Sequence, residues 1–223
     1  MPPLWTSDEE LFTMVRRELY TAVIGDIMDK CKLRHQFFPP EIRPVAPEMF
    51  VVGRAMTVLV ADVFEEDPKQ PFGLMLDALD NMKPGEVYVA AGGRRNYALW
   101  GELMSVRACQ CGARGAVLDG HHRDTKGILA LGFPTFSRGG YAQDQAPRGK
   151  VVDFRVAVEI GCVRVTPGDF IIGDIDGVLA VPKEWEKEIF TMALDKARKE
   201  KVLRRDLEAG LTAAEAFKKY EIF

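Results

Sequence analysis

Between Glu86 and Ser137 the sequence alternates short apolar runs with amphipathic ones, and glycine or proline separates them. Glu86–Ala91 reads as a buried strand, and Trp100–Cys111 as a helix stopped at Gly112. Gly115–Asp119 reads as a second strand, Asp124–Leu131 as a helix of about two turns, and Phe133–Ser137 as a third strand. Strands that alternate with helices in this way are joined by crossovers, so the pattern predicts an α/β fold around a parallel sheet.

The flanks extend this reading. Ser7–Glu10 looks like a capping box opening a helix that buries Leu11, Met14 and Val15, and a second helix follows over Ala22–Cys31. A proline-rich loop spans Phe38–Pro47, and Met49–Val60 reads as a strand interrupted at Gly53. Phe72–Met82 has a helical pattern ending at Pro84-Gly85. After Pro147 the chain turns mostly β: Val151–Val158, Cys162–Val165, Asp169–Ile172 and Val178–Val181. Pro182 then opens a long charged helix reaching about Glu208, and a short one follows from Thr212. The expected organisation is a core over residues 1–182 and a helical arm over 183–223.

Composition excludes several classes. Thirty Lys and Arg against 33 Asp and Glu leave a net charge of -3, so nothing broad and cationic exists to hold nucleic acid. No apolar run approaches the ~20 residues of a membrane span, and the start MPPLWTSDEELF lacks the pattern of a signal peptide. Cys31, Cys109, Cys111 and Cys162 do not have the spacing of a zinc site, and they fit reduced thiols in a cytoplasmic protein. No glycine-rich loop suited to S-adenosylmethionine follows an early strand.

The chemistry concentrates in Gly101–Asp124. A helix from Glu102 runs about 15 Å one way, and the strand from Gly115 returns about 16 Å. Glu102 and the Arg123-Asp124 pair therefore meet at one sheet edge, where open α/β sheets bind ligands. After Gly101, the first-turn N–H groups of Leu103 and Met104 suit a carboxylate. Arg123 offers a two-pronged guanidinium, and Glu102 and Asp124 are hard oxygen ligands for Mg²⁺ or Mn²⁺. A plainer reading stands beside this one: Asp124 caps the next helix, and Arg123 is its surface ion-pair partner.

The stretch resembles the RraA-like family, which includes class II pyruvate aldolases acting on 4-hydroxy-4-methyl-2-oxoglutarate and 4-carboxy-4-hydroxy-2-oxoadipate. The family motif is Asp, twenty residues, then Arg-Asp; here Glu102 replaces the first Asp ahead of Arg123-Asp124. Gly112–Gly115, Asp119-Gly120, Gly132–Pro134, Val165–Asp169 and Gly173–Val178 are similar to family phrases as well. The resemblance implies a layered α/β/β/α fold assembled as trimers or paired trimers. It implies a metal-dependent lyase that releases pyruvate from a 4-hydroxy-2-oxo acid and decarboxylates oxaloacetate through the same enolate. Gly101, Leu103, Met104 and Arg123 would bind substrate, Asp124 and Glu102 the metal, and Arg123 and Glu102 would act in catalysis. A glutamate on the arm, for which Glu200 is the candidate, would reach a neighbouring subunit's site. The same core also occurs in regulators that dock on a ribonuclease or helicase, and a lyase acting on a sugar acid is a third possibility. His121 and His122 precede the motif on an extended segment, so at most one of them faces the site.

Overall fold

The structure is a computed structural model and describes residues 4–65, 67–93 and 96–222. Its elements are α1 (Asp8–Glu18), α2 (Thr21–Lys30), β1 (Arg43–Pro44), β2 (Val51–Asp62), α3 (Met75–Asp80), β3 (Glu86–Ala91) and β4 (Ala98–Trp100). They continue with α4 (Glu102–Gln110), β5 (Gly115–Leu118), β6 (His121–His122), α5 (Thr125–Leu131), β7 (Thr135–Ser137) and β8 (Gly149–Phe154). The chain ends with β9 (Val158–Ile160), β10 (Val163–Val165), β11 (Phe170–Asp174), β12 (Gly177–Val181), α6 (Glu186–Glu208) and α7 (Ala213–Tyr220).

The main sheet runs β1-β7-β5-β3-β2-β11-β12, with β8 also on β2. Its middle pairs, β2-β3, β3-β5 and β5-β7, are parallel, as the alternating pattern predicts. The outer strands are antiparallel. Before β1, Phe38 N–H donates to Val178 O on β12, and Ala180 N–H donates to Gln36 O. Arg43 of β1 also donates to the carbonyls of Ile175 and Asp176 in the β11-β12 turn. These contacts draw the two edges together, and the sheet is nearly closed.

Alternation along the strands separates two cores. Val51 and Ile171 face one side with Val58, Val89, Val117 and Phe136. Val52, Phe170 and Ile172 face the other, against α1, α2 and α6. The first half of α6 is part of this second core, since Ile189, Phe190, Ala193, Leu194 and Ala197 are buried on their own chain. Beyond it, Val202 and Phe217 are exposed. No helix among the described residues is long and apolar enough to cross a membrane.

Several boundaries differ from the sequence reading. Gly53 does not interrupt β2; a Cβ there would lie 2.4 Å from Gly85 O, so glycine allows two backbones to approach. The strand expected over Val151–Val158 is two, β8 and β9, parted near Arg155. Arg155 has a φ of 57° and pairs with Glu86 at 2.7 Å. The helix expected over Phe72–Met82 shortens to α3, because residues on its N-terminal side bond to β8 through Leu74 N–H and Val151 O. The capping box at α1 is displaced: Ser7 accepts from Glu10 N–H at 3.2 Å, but the Glu10 carboxylate reaches back to Thr6.

One ion cluster joins the layers. Arg54 on β2 donates to Asp8 of α1 at 2.9 Å and to both carboxylate oxygens of Glu186, where α6 begins. A hydrogen bond from Arg54 holds the Asp8 carboxyl below its ordinary range, whereas burial pushes Glu186 up. Arg54→Met leaves the Glu186 carboxylate buried without its partner, and breaking such a pair costs about 3–5 kcal/mol. Urea unfolding is expected to show that loss, and Arg54→Met combined with Glu186→Met is expected to recover much of it.

Candidate active site

The candidate site begins at a small second sheet that the sequence did not suggest. β4 and β6 run parallel, with Ala98 opposite His121 and Trp100 opposite His122. Arg123 N–H donates to Trp100 O at 2.9 Å. Gly101 and Arg123 therefore leave adjacent strands side by side. The start of α4 is held from below: the Trp100 indole N–H donates to Ser105 Oγ at 2.7 Å, which donates to Gly101 O at 3.0 Å. The Trp100 ring packs against Tyr88 and Phe133, at centroid distances of 4.8 and 5.8 Å.

The two histidines point to opposite sides of β6, as an extended segment requires. His122 is buried between Ser137 Oγ at 2.7 Å and Thr125 Oγ1 at 3.0 Å. Burial, then the neighbouring His121, lowers its pKa. It ties β7 to the first residue of α5. His121 contacts Gly139 O at 3.1 Å and packs at a tilt against the Tyr141 ring, with centroids 5.4 Å apart. Neither histidine lines the pocket described below.

The structure separates the two parts of the plainer reading of the Arg-Asp pair: the ion pair is present, but the Asp124 side chain does not cap α5. The Asp124 backbone is left-handed, with φ 56° and ψ 38°. For a non-glycine residue that conformation costs about 1 kcal/mol. The carboxylate instead turns towards α4, where Oδ2 accepts from Glu102 N–H at 3.3 Å and lies 3.7 Å from Arg123 Nε. A Cβ on Gly101 would sit 2.6 Å from that oxygen, so Gly101 makes room for the carboxylate. On the other side, Arg123 faces Asp144 at 3.4 Å. The three side chains are between a third and a half exposed. Ion pairs this open are weak, and a ligand can replace them.

Arg123 and Asp124, together with Gly101, Leu103 and Met104, line one pocket of about 470 Å³. The Leu103 and Met104 N–H groups lie in the first turn of α4, where helical N–H groups have no carbonyl to bond. Glu102 is placed differently from the expectation. Its backbone reaches Asp124, but its side chain lies over α5, where a Cβ on Gly127 would come 2.3 Å from Glu102 Cδ. It does not line the pocket. Glu200 does not line it either; it accepts from the Tyr20 hydroxyl and faces Lys196 at 3.5 Å on α6.

Sequence reasoning missed Asp144 and Gln145 as individual residues. They sit in the loop Gly139–Pro147, whose sequence carries no spacing signal. A bridge between Ala98 and Asp144 brings them in. Gln145 is 3% exposed, and its Nε2 has no hydrogen-bond partner. A buried donor left unpaired costs about 1–3 kcal/mol.

No three His, Cys, Asp or Glu side chains converge as a metal cage among the described residues. Mg²⁺ does not require one, since it keeps several waters and takes one or two carboxylates. Asp124, whose carboxylate makes no capping bond to α5 and lines the pocket, fits such an ion. Gly101→Ala is expected to displace this carboxylate and weaken Mn²⁺ binding about tenfold in a titration, with the melting temperature little changed.

Comparison with known proteins agrees with the fold. The family model "RraA-like: Aldolase/RraA" matches residues 21–180. A relative from Halalkalibacterium halodurans, named "Putative 4-hydroxy-4-methyl-2-oxoglutarate aldolase", is 32% identical over 202 residues, covering 90% of each chain. An uncharacterized protein from Pseudomonas syringae superposes with a TM-score of 0.85 at 25% identity, over 95% of this chain and 94% of that one. Streptomyces coelicolor RraAS2, described as an unusual member of the RNase ES inhibitor RraA family, superposes with a TM-score of 0.78 at 23% identity. That match covers 91% of this chain and 99% of the other. With a family model spanning most of its length and a relative 32% identical over 90% of each chain, this chain belongs to the RraA-like family.

Proposed function

We propose that this protein is a divalent-metal-dependent lyase that cleaves a 4-hydroxy-2-oxo acid by a retro-aldol reaction and releases pyruvate. The observation that carries the reading is the Asp124 carboxylate. It is held in a left-handed backbone, makes no side-chain capping bond to α5, and lies beside Arg123 at the N-terminus of α4.

The N–H groups of Leu103 and Met104, at the positive end of α4, receive the substrate carboxylate. Arg123 donates to the C2 oxygen and stabilises the negative charge that gathers there when the C3–C4 bond breaks. The 4-hydroxyl proton passes to a carboxylate, the C3–C4 electron pair becomes the enolate, and a proton at C3 completes pyruvate. Within the chain, Asp144 is the pocket carboxylate beside Arg123 that has no metal role. Glu200 is the candidate that a neighbouring copy would present. Asp124 would hold Mg²⁺ or Mn²⁺, which supplies Lewis-acid polarisation of the oxo acid. Glu102 joins it if its side chain swings off Gly127. Oxaloacetate decarboxylation forms the same enolate by losing CO₂, so it accompanies the main reaction.

A trimer or a dimer of trimers suits this reading, because Leu103 is 82% exposed and Leu76 58% exposed at the pocket mouth, where a second copy would cover them. Docking on a ribonuclease, the other activity in the family, has weaker support. The RraAS2 likeness is one of fold, and docking leaves the strained Asp124 without a use.

The test is pyruvate release, coupled to lactate dehydrogenase, from 4-hydroxy-2-oxo acids and oxaloacetate with Mg²⁺ or EDTA. Mg²⁺-dependent release is expected; folded protein that releases none from any of them would overturn the proposal. Arg123→Ala is expected to lower kcat at least ~100-fold with the fold intact. Asp124→Ala is expected to raise the Mg²⁺ concentration needed for half-maximal rate by about tenfold or more.

A further inference from the structure

We infer that Arg107 is the residue that selects what lies beyond C4 of the substrate: its guanidinium pairs with a second carboxylate there, while Asp80 holds it on the pocket wall. This rests on the lyase reading and assigns a specificity residue to the same site.

The pocket has two unlike ends. Arg123, Asp124 and the first turn of α4 make the end that takes the 2-oxo acid, and much of the rest is a wall of Phe72, Met75, Leu76, Leu79, Leu99 and Trp100. Arg107 and Asp80 stand in that wall. A carboxylate placed against carbon loses its water, so a substrate charged at both ends needs a cation at this position.

Helix α4 provides one at a suitable spacing. Leu103 and Met104 lie four and three residues before Arg107, and all three line the pocket. A helical side chain leans towards the N-terminus and covers the turn before its own Cα. One turn rises about 5.4 Å. The five-carbon chain of a 4-hydroxy-2-oxoglutarate spans about 5 Å between its two carboxylate carbons. A substrate whose first carboxylate sits on the Leu103 and Met104 N–H groups therefore brings its second one to Arg107.

Arg107 is held in place and still has donors to offer. Its Nε donates to Asp80 Oδ1 at 2.7 Å, and its terminal nitrogens have no hydrogen-bond partner among the described residues. The two Nη groups can fork a carboxylate end-on while Nε stays on Asp80. The Arg107 and Asp80 side chains are 47% and 65% exposed, so neither is locked to the other by burial. Arg123 cannot take this part as well, because the mechanism places it on the C2 oxygen.

The experiment measures the ratio of kcat/KM for 4-hydroxy-4-methyl-2-oxoglutarate to that for 4-hydroxy-2-oxoheptanoate, with Mg²⁺ and the full chain. The ratio is expected to exceed one in the wild-type protein and to fall about tenfold in Arg107→Gln, mostly through a higher KM for the dicarboxylate. Arg107→Lys keeps the charge, and its ratio is expected to stand about threefold above that of Arg107→Gln. Added KCl is expected to lower the wild-type ratio and to spare that of Arg107→Gln, because salt screens a half-exposed ion pair. An Arg107 that merely tethers α4 to α3 would shift the rates for both acids together. A ratio unchanged in Arg107→Gln would assign the second carboxylate to another cation. Either result would overturn the inference and leave the lyase reading standing. Folded wild-type protein that releases pyruvate from neither acid nor from oxaloacetate would overturn both.

Discussion

The strand Val51–Asp62 is the constraint on which the rest of the fold depends. It is parallel to β3 along one side and antiparallel to β11 and β8 along the other. Its two faces feed different cores, so a slip of one residue would exchange them. The parallel neighbours set the direction in which β3 and β5 run, and therefore which sheet edge their C-terminal ends share. β4 and β6 continue from that edge, and the candidate site is built on them. The Arg54 cluster ties the same strand to α1 and α6, linking both ends of the chain to the sheet.

Around the site, strain at one residue is supported by satisfied neighbours. Trp100 and Ser105 fix the start of α4, while His122 between Ser137 and Thr125 fixes the start of α5. Between these two anchored helix starts, Asp124 is held in a backbone conformation that only its surroundings make tolerable. Strained polar groups next to a rigid frame are common where a protein meets a ligand, because the ligand supplies what the frame withholds.

Much of this was legible in the sequence. Periodicity located the parallel core, the mostly β segment and the long helix from Pro182. The helix-out, strand-back geometry brought Arg123 and Asp124 to Gly101, Leu103 and Met104. What periodicity could not show were two- and three-residue strands such as β4 and β6, which are too short to carry a period. Gly53 was misread for a related reason: the same residue marks a chain break or a close approach, and only the position of Gly85 distinguishes them.

The sequence by itself determined the fold class, the motif and which backbone ends meet, because hydrophobic period and chain length are local properties that propagate along regular elements. Tertiary structure alone decided where the side chains went. It turned the Asp124 side chain away from the helix it precedes and towards the pocket, and laid Glu102 over Gly127. It also recruited Asp144 and Gln145 from a loop without pattern. Those outcomes depend on left-handed backbone, on space left by glycine and on partners distant in sequence, and none of these leaves a trace in the spacing of residues.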